Sequence, residues 1–399
     1  MRALLVNDKA SFFGGVEQFV NDTATGLAAR GHEVHLLSSE APEVGREPLT
    51  APFASRSRLE LTASEESWRR QVARVLETVR PDVLYVNRFS HRAALAELMA
   101  GAPTVRYIHD HDLTCPRRHK YFPISNRICN RPLGIHCVLH GCLVTKSGPV
   151  AGFPGFVDIR EKARDLAIHR RFRRLLVGSG WMKAMLLKNG FRDEQVEILP
   201  PVPRGLEREP QKASAEPLVL YVGQVIRGKG VDLLLRSLAV VRREYRCVVV
   251  GTGNHLAECV ELVRSLGIGD RVTFVGWVPH ERLALYYDQA RIVAVPSRWP
   301  EPFGMVGLEA MWASRPVVAF AVGGIPDWLS DGETGLSVNE QDTRAFAHAL
   351  EALLADPALA ERMGSAGWAR VRERFRHDAF IERTEEILEA TVRGAADAA

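Results

Sequence analysis

Nowhere in the 399-residue chain do 18 apolar residues run together, so no segment reads as a membrane-spanning helix. The opening ALLV is too short and too poorly flanked for a signal peptide, which leads to the expectation of a cytoplasmic protein. Cysteine is scarce, with six in the whole chain, and without an export signal these are better read as reduced thiols or metal ligands than as a disulfide framework. Zinc-finger spacing and an aromatic RNA-binding signature are both missing, so nucleic acid is not an expected partner. After the strand-like VVVGTGNHL the third glycine of a dinucleotide fingerprint is absent, leaving only Gly251 and Gly253 to suggest NAD.

What remains is a soluble-type composition in a chain longer than one hydrophobic core supports, so two domains of about 150 to 200 residues are expected. Short β-rich runs alternate with helical stretches: RALLVND, EVHLLSS, DVLYVNR, TVRYIHD, LLVGS and VEILPP come first. A second series follows, with LVLYVGQ, RCVVVGTG, RVTFVGW, RIVAVPS, PVVAF and TGLSV. Helices punctuate it, VDLLLRSLAVVRREY among them. Such alternation predicts two α/β, doubly wound parallel-sheet domains facing across a cleft, with ligands at the carboxyl ends of the strands. PPVPRGLEREPQKASAEP, rich in proline and charge, marks a linker between them. The boundaries read as 1–203, a linker at 204–216, and 217–375.

Charge is nearly balanced at +4 overall but not along the chain. Between Arg106 and Lys188, 16 Lys or Arg face five acids, a net of +11. The densest part, IREKARDLAIHRRFRRLLVGSGWMKAMLLKNG, reads either as a cationic face for anionic lipid or as a solvated surface.

The most informative segment runs from Arg291 to Val338. Two carboxylates, Glu301 and Glu309, bracket a helix entrance, roughly two turns apart at 3.6 residues per turn. Between them Phe303, Gly304, Met305 and Val306 offer consecutive backbone N–H groups at a helix N-terminus, where orphan donors and the positive dipole end attract phosphate. This suits a nucleoside diphosphate and a sugar, with one acid for the sugar and the other for the ribose.

A Glu, seven residues and a second Glu after a strand ending in Pro-Ser resembles the signature of family-4 glycosyltransferases, retaining enzymes of the GT-B fold. The resemblance extends over most of the chain, through a glycine loop at Gly14 and Gly15, the His109-Asp110 pair after a strand, and the Lys229-Gly230 pair opening the second half. It implies two Rossmann-like domains, the first for the acceptor and the second for the nucleotide-sugar donor, with residues from about 376 to 399 crossing back to the first. It implies a sugar transfer to a hydroxyl without an obligatory divalent metal or other cofactor, in cell-surface polysaccharide, lipopolysaccharide or glycolipid synthesis. A peripheral place on the inner membrane face fits that role. Glu301 would hold sugar hydroxyls, Glu309 the ribose diol, and Lys229 the diphosphate, while His109 would orient the sugar near the reacting carbon. Where similar enzymes carry an arginine this chain has Gln224, which leaves Arg227 to supply the second charge. The resemblance also places the base against the backbone of Gly276, Trp277 and Val278.

Each motif has a plainer alternative. Gly14 and Gly15 also suit an ordinary tight turn, and His109 or His111 also suits a histidine satisfied by backbone. Cys115, Cys129, Cys137 and Cys142, interleaved with His136 and His140, suggest a structural zinc or reduced cysteines packing a loop, and no Cys-x-x-Cys pair decides between them. Three functional rivals stand beside the transferase: an epimerase of the same shape, a non-catalytic subunit, and an NAD-dependent dehydrogenase.

Overall fold

Branched apolar runs become parallel strands, and central ones such as VLYV and IVAV are fully buried because helices cover both faces of such a sheet. The computed structural model describes residues 1–41, 45–145, 155–210, 212 and 214–396. They form two units. One comprises Met1–Arg118, Arg131–Arg204 and His377–Ala399, the other His119–Asn130 and Gly205–Arg376.

In the first unit the chain forms β1 (Arg2–Val6), β2 (Glu33–Ser38), β3 (Ser55–Arg58), β4 (Val83–Val86) and β5 (Thr104–Ile108). A short antiparallel ribbon follows, β6 (Val144–Thr145) with β7 (Gly155–Phe156), and then β8 (Arg174–Val177) and β9 (Val196–Ile198). The main sheet has seven parallel strands in the order β3-β2-β1-β4-β5-β8-β9. Its helices are α1 (Gly15–Ala29), α2 (Glu65–Val79), α3 (Arg92–Gly101), α4 (Ile135–Leu139), α5 (Ile159–His169) and α6 (Gly180–Lys188). α2 shows how sequence sets such a helix. Ser64 caps it by accepting from the Ser67 N–H, and Glu65 and Glu66 suit its positive end. Trp68, Val72, Val75 and Val79 line its buried face, and Arg80 ends it in the left-handed region.

The second unit contains β10 (Leu218–Val222), β11 (Arg246–Val250), β12 (Val272–Gly276), β13 (Ile292–Val295), β14 (Val317–Phe320) and β15 (Gly335–Val338). They form a parallel sheet in the order β12-β11-β10-β13-β14-β15. Around it lie α7 (Val231–Leu238), α8 (Leu256–Ser265), α9 (His280–Gln289), α10 (Met305–Trp312), α11 (Ile325–Trp328), α12 (Thr343–Ala355) and α13 (Pro357–Arg374). The last helix, α14 (His377–Ala396), packs on α1, β4 and β5 of the first unit. Each sheet is wound outward in one direction and then resumed on the other side of its first strand, so switch points fall at β1/β4 and β10/β13.

Several expectations change. β3, with the sequence SRSR, carries no apolar signal and pairs with β2 through its backbone as the edge strand. α7 stops at Leu238 instead of running through VVRREY, because the buried Tyr245 hydroxyl donates to the Leu238 carbonyl at its end. Composition marks 204–216 as a linker, yet much of it is tied down on the second unit. Arg291 donates to the carbonyls of Ser214, Ala215 and Leu354, Arg315 to those of Lys212, Tyr287 and Asp288, and the Trp368 indole to that of Arg208. The dense basic stretch is not one cationic helix face. It is divided among α5, β8 and α6, and Lys162, Arg164, Arg174 and Lys183 pair with Asp112, Glu161, Glu197 and Asp193. Among the described residues, no helix is long and apolar enough to cross a membrane.

Candidate functional site

At the β10/β13 switch point two loops meet. The loop after β10 makes a single tight turn at Arg227, Gly228 and Lys229, and Gly230 then starts α7 with φ 73°. A side chain at Gly230 would strike the Pro296 carbonyl of the loop after β13, so only glycine lets the two loops lie this close. Their backbones are joined where the N–H groups of Arg298 and Trp299 donate to the Gly228 carbonyl at 2.9 and 3.1 Å.

This junction holds an ion pair. The Lys229 ammonium donates to both oxygens of Glu301, at 2.8 and 2.9 Å, and the Ser297 hydroxyl donates to Oε1. Glu301 is 3 % exposed. Burial pushes its carboxyl up, but Lys229, the Ser297 hydroxyl and the Trp299 indole outweigh that and hold it below the ordinary range, ionised at neutral pH. From the other side Gly323 packs on the Glu301 backbone with φ 59°, and the Gly324 N–H donates to the Glu301 carbonyl at 2.7 Å. The turn VGG is therefore what seats Glu301.

Two participants carried no motif. Arg298, almost wholly buried, makes a two-pronged bond to Asp232 on α7 at 2.8 and 3.1 Å and also donates to the Arg227 carbonyl at 2.7 Å. Trp299 lies with its ring centroid 5.1 Å from the Lys229 ammonium. Their mark in the sequence is their place between Pro-Ser and Glu301. Arg227 itself is exposed, and Gln224 is exposed while its carbonyl accepts from the Tyr221 hydroxyl at 2.8 Å. Segment His119–Asn130 adds an aromatic neighbour, since His119 stacks on Tyr121 and tilts toward Trp299 at 6.3 Å.

α10 begins only at Met305, after Gly304 at φ 96°, and no side chain caps its first turn. Glu309 is thus little more than one helical turn in, not two turns beyond Glu301, because the chain between Glu301 and Gly304 is not helical. Its carboxylate accepts from Tyr287 at 2.6 Å, and that phenol is pushed up first by burial and then by Glu309. Phe303 is buried against Phe375, and its carbonyl accepts from the Trp328 indole. Val306 is half-buried. At the end of β12, Gly276 has φ 82°, Trp277 is 71 % exposed and Val278 half-buried. Gly251 and Gly253 have a packing reason: a side chain there would strike the carbonyls of Gly223 and Val225.

The first unit's switch point is built otherwise. Gly14 and Gly15 open α1 exposed and uncapped, Gly14 in extended backbone with open space beside it. After β5, His109 donates from Nε2 to the Asn87 side-chain oxygen at 2.9 Å, an orientation supported by the Asn87 amide reaching the Tyr85 carbonyl. Nδ1 is then left as an acceptor. His109 packs on Phe19 and Tyr107. Burial, with Arg106 and Arg88 adding, pushes it down to about 3, so the imidazole is neutral. Asp8 accepts from the hydroxyls of Ser39 and Ser90 at 2.6 Å each, fixing the loops on either side. His111 is fully buried against Trp181.

The zinc expectation is not met by the geometry. Among the described residues the group with three or more ligand atoms within 4.8 Å is His32, Glu385 and Glu389, and no cysteine belongs to it. Cys115, Cys137 and Cys142 are buried and Cys129 half-buried. His136 instead meets the Arg131 guanidinium at 2.7 Å.

Two family models match the chain, Glycosyltransferase Family 4 over residues 13–202 and Glycosyl transferases group 1 over residues 205–370. A D-inositol 3-phosphate glycosyltransferase of Corynebacterium diphtheriae is 38 % identical over 175 residues, 40 % of this chain and 41 % of that protein. An alpha-D-kanosaminyltransferase of Streptomyces kanamyceticus is 36 % identical over 183 residues, 45 % of this chain and 46 % of that one. The match therefore spans less than half the length of these relatives. Among solved structures, the sucrose-phosphate synthase of Thermosynechococcus elongatus aligns over all of both chains with TM-score 0.74 at 24 % identity. Anabaena HepE, solved with UDP and glucose, aligns over 98 % of this chain and 100 % of its own with TM-score 0.72 at 18 % identity.

Proposed function

Since the chain belongs to the family-4 glycosyltransferases of the GT-B fold, we propose that it is a retaining glycosyltransferase moving a sugar from a nucleoside diphosphate to a hydroxyl acceptor. The second unit is the donor side and the first the acceptor side. The observation that carries this reading is the buried Lys229–Glu301 pair at the β10/β13 switch point, beside the uncapped start of α10.

In the reaction the bond from the anomeric carbon to the diphosphate breaks, and the acceptor oxygen forms a new bond to that carbon from the same face. The acceptor proton leaves with the diphosphate. Negative charge grows on the departing phosphate, where Lys229, Arg227 and the N–H groups of Phe303, Gly304, Met305 and Val306 stabilise it. Positive charge grows on the sugar ring, where ionised Glu301 supports it while binding ring hydroxyls. Glu309 takes the ribose diol, and the backbone of Gly276, Trp277 and Val278 the base. His109, neutral with Nδ1 as acceptor, takes a hydrogen bond from a sugar hydroxyl, and the exposed start of α1 at Gly14 and Gly15 faces the substrate. These protein cations and N–H groups do the work a divalent metal does elsewhere, so no metal is required. UDP in the HepE structure favours a uridine donor, and a cell-surface glycan or glycolipid is the acceptor class.

The test offers nucleoside diphosphate sugars with and without a pool of hydroxyl acceptors, in the presence of a chelator. Acceptor-dependent release of the diphosphate with the anomeric configuration kept is the expected result. Conversion of the donor alone would make the chain an epimerase, and no turnover with any donor would leave a binding subunit.

A further inference from the structure

Among the described residues eleven large apolar side chains are exposed, and five of them fall between Ile135 and Phe156. They share one small piece of the first unit. Ile135, Val138 and Leu139 stand on α4, Ile135 and Leu139 being 65 % and 71 % exposed. Val144 and Phe156 sit directly opposite each other on the β6–β7 ribbon, so their side chains share a face, and Phe156 is 78 % exposed. Backbone bonds weld helix to ribbon, from the Gly141 N–H to the Val138 carbonyl, from Cys142 to Cys137, and from Val157 to Leu143. The result is a built knob with its apolar side outward.

The same part of the chain holds the excess of positive charge. Arg131 precedes the knob and Arg160 follows it, and both are exposed. Lys188, also exposed, is brought close because the Leu133 N–H donates to Asn189. The acids of this region are engaged: Asp112 with Arg118 and Lys162, Glu161 with Arg92 and Arg164, and Asp165 with Arg92. Asp158 caps α5. An exposed apolar face with Arg131, Arg160 and Lys188 on the segments beside it matches a bilayer surface with anionic headgroups, where the apolar side chains enter the acyl boundary and the cations meet phosphate. Exposed apolar side chains so grouped are also uncommon on a surface that faces only water.

We propose that the α4–β6–β7 knob docks the protein on an anionic lipid surface. This stands apart from the donor chemistry and holds whatever sugar is moved.

The test is co-sedimentation of the full chain with vesicles of phosphatidylcholine alone and with added phosphatidylglycerol. Binding to the anionic vesicles that weakens as salt rises is expected. The double variant Leu139→Ser/Phe156→Ser should bind at least about tenfold more weakly, and Arg131→Glu/Arg160→Glu should lose the preference for anionic lipid. Far-UV circular dichroism and an unchanged melting temperature verify that each variant is folded. Equal binding by wild type and the serine variant overturns the proposal. So does an absence of binding to anionic vesicles, including the case in which wild type self-associates and the serine variant does not, which would make the knob a contact between copies.

Discussion

The two switch points are topological equivalents with opposite chemistry. At β10/β13 the loops are joined by charge, with Lys229 on Glu301 and Arg298 on Asp232. At β1/β4 the partners are uncharged side chains instead: neutral His109 donates to Asn87 against Phe19 and Tyr107, and Asp8 accepts from two serine hydroxyls. Winding fixes where loops gather. Loop composition decides which side chains meet there.

The sharpest way to break the contrast is to remove the cation. Lys229→Met is predicted to lower turnover by about 10²–10³, as loss of a charge aimed at a departing anion does. It also strands a buried carboxylate, so stability at pH 7 should fall by about 3 kcal/mol, and Lys229→Met/Glu301→Gln should recover part of that. Steady-state kinetics and chemical denaturation read both.

Glu301→Gln alone is predicted to lower turnover at least about tenfold, since an amide supports less positive charge on the sugar than a carboxylate. Unchanged kinetics would remove Glu301 from the chemistry.

The neutral side should show itself through pH. His109 is pushed down to about 3 from an ordinary 6.5, so the folded protein keeps it unprotonated where the unfolded chain takes up a proton. Its contribution is complete above pH 6.5 and is lost as pH falls from there toward 3. By pH 5.5 the loss is about 1.4 kcal/mol. His109→Phe should flatten that limb of the stability profile. The Glu301 contribution lies lower, lost only as pH drops below the ordinary glutamate value of 4.5.

The smallest effect is expected at Glu309→Gln, about threefold to tenfold weaker donor binding with turnover nearly kept, read by calorimetry of the nucleoside diphosphate.

The twelve strands expected from apolar runs all form; the central ones are written in Val, Ile and Leu because a doubly covered parallel sheet buries them throughout, while the edge strands β9 and β12 are only partly buried. β3 was not legible because an edge strand needs backbone pairing more than apolar side chains. Nor was the adherence of 205–216 to the second unit, which rests on Arg291 and Arg315 arriving from distant positions. In the candidate site the titratable residues stood out by type and spacing. Trp299 and Arg298 did not, because their part is to hold Lys229 and the loop around it, and holding has no fixed spacing in sequence. The attachment of His119–Asn130 to the second unit was equally silent, since strand order assigns its flanks to the first.

Thermal melting of wild type and Lys229→Met against UDP, GDP, ADP, dTDP and NAD puts the donor site to the most direct trial. At about a hundred times its dissociation constant a ligand adds roughly 2.7 kcal/mol, a shift of several degrees. A shift in wild type with one or more nucleoside diphosphates, largely lost in Lys229→Met, is the predicted result. A shift with NAD alone, or equal nucleotide shifts in both proteins, would contradict the Lys229–Glu301 site.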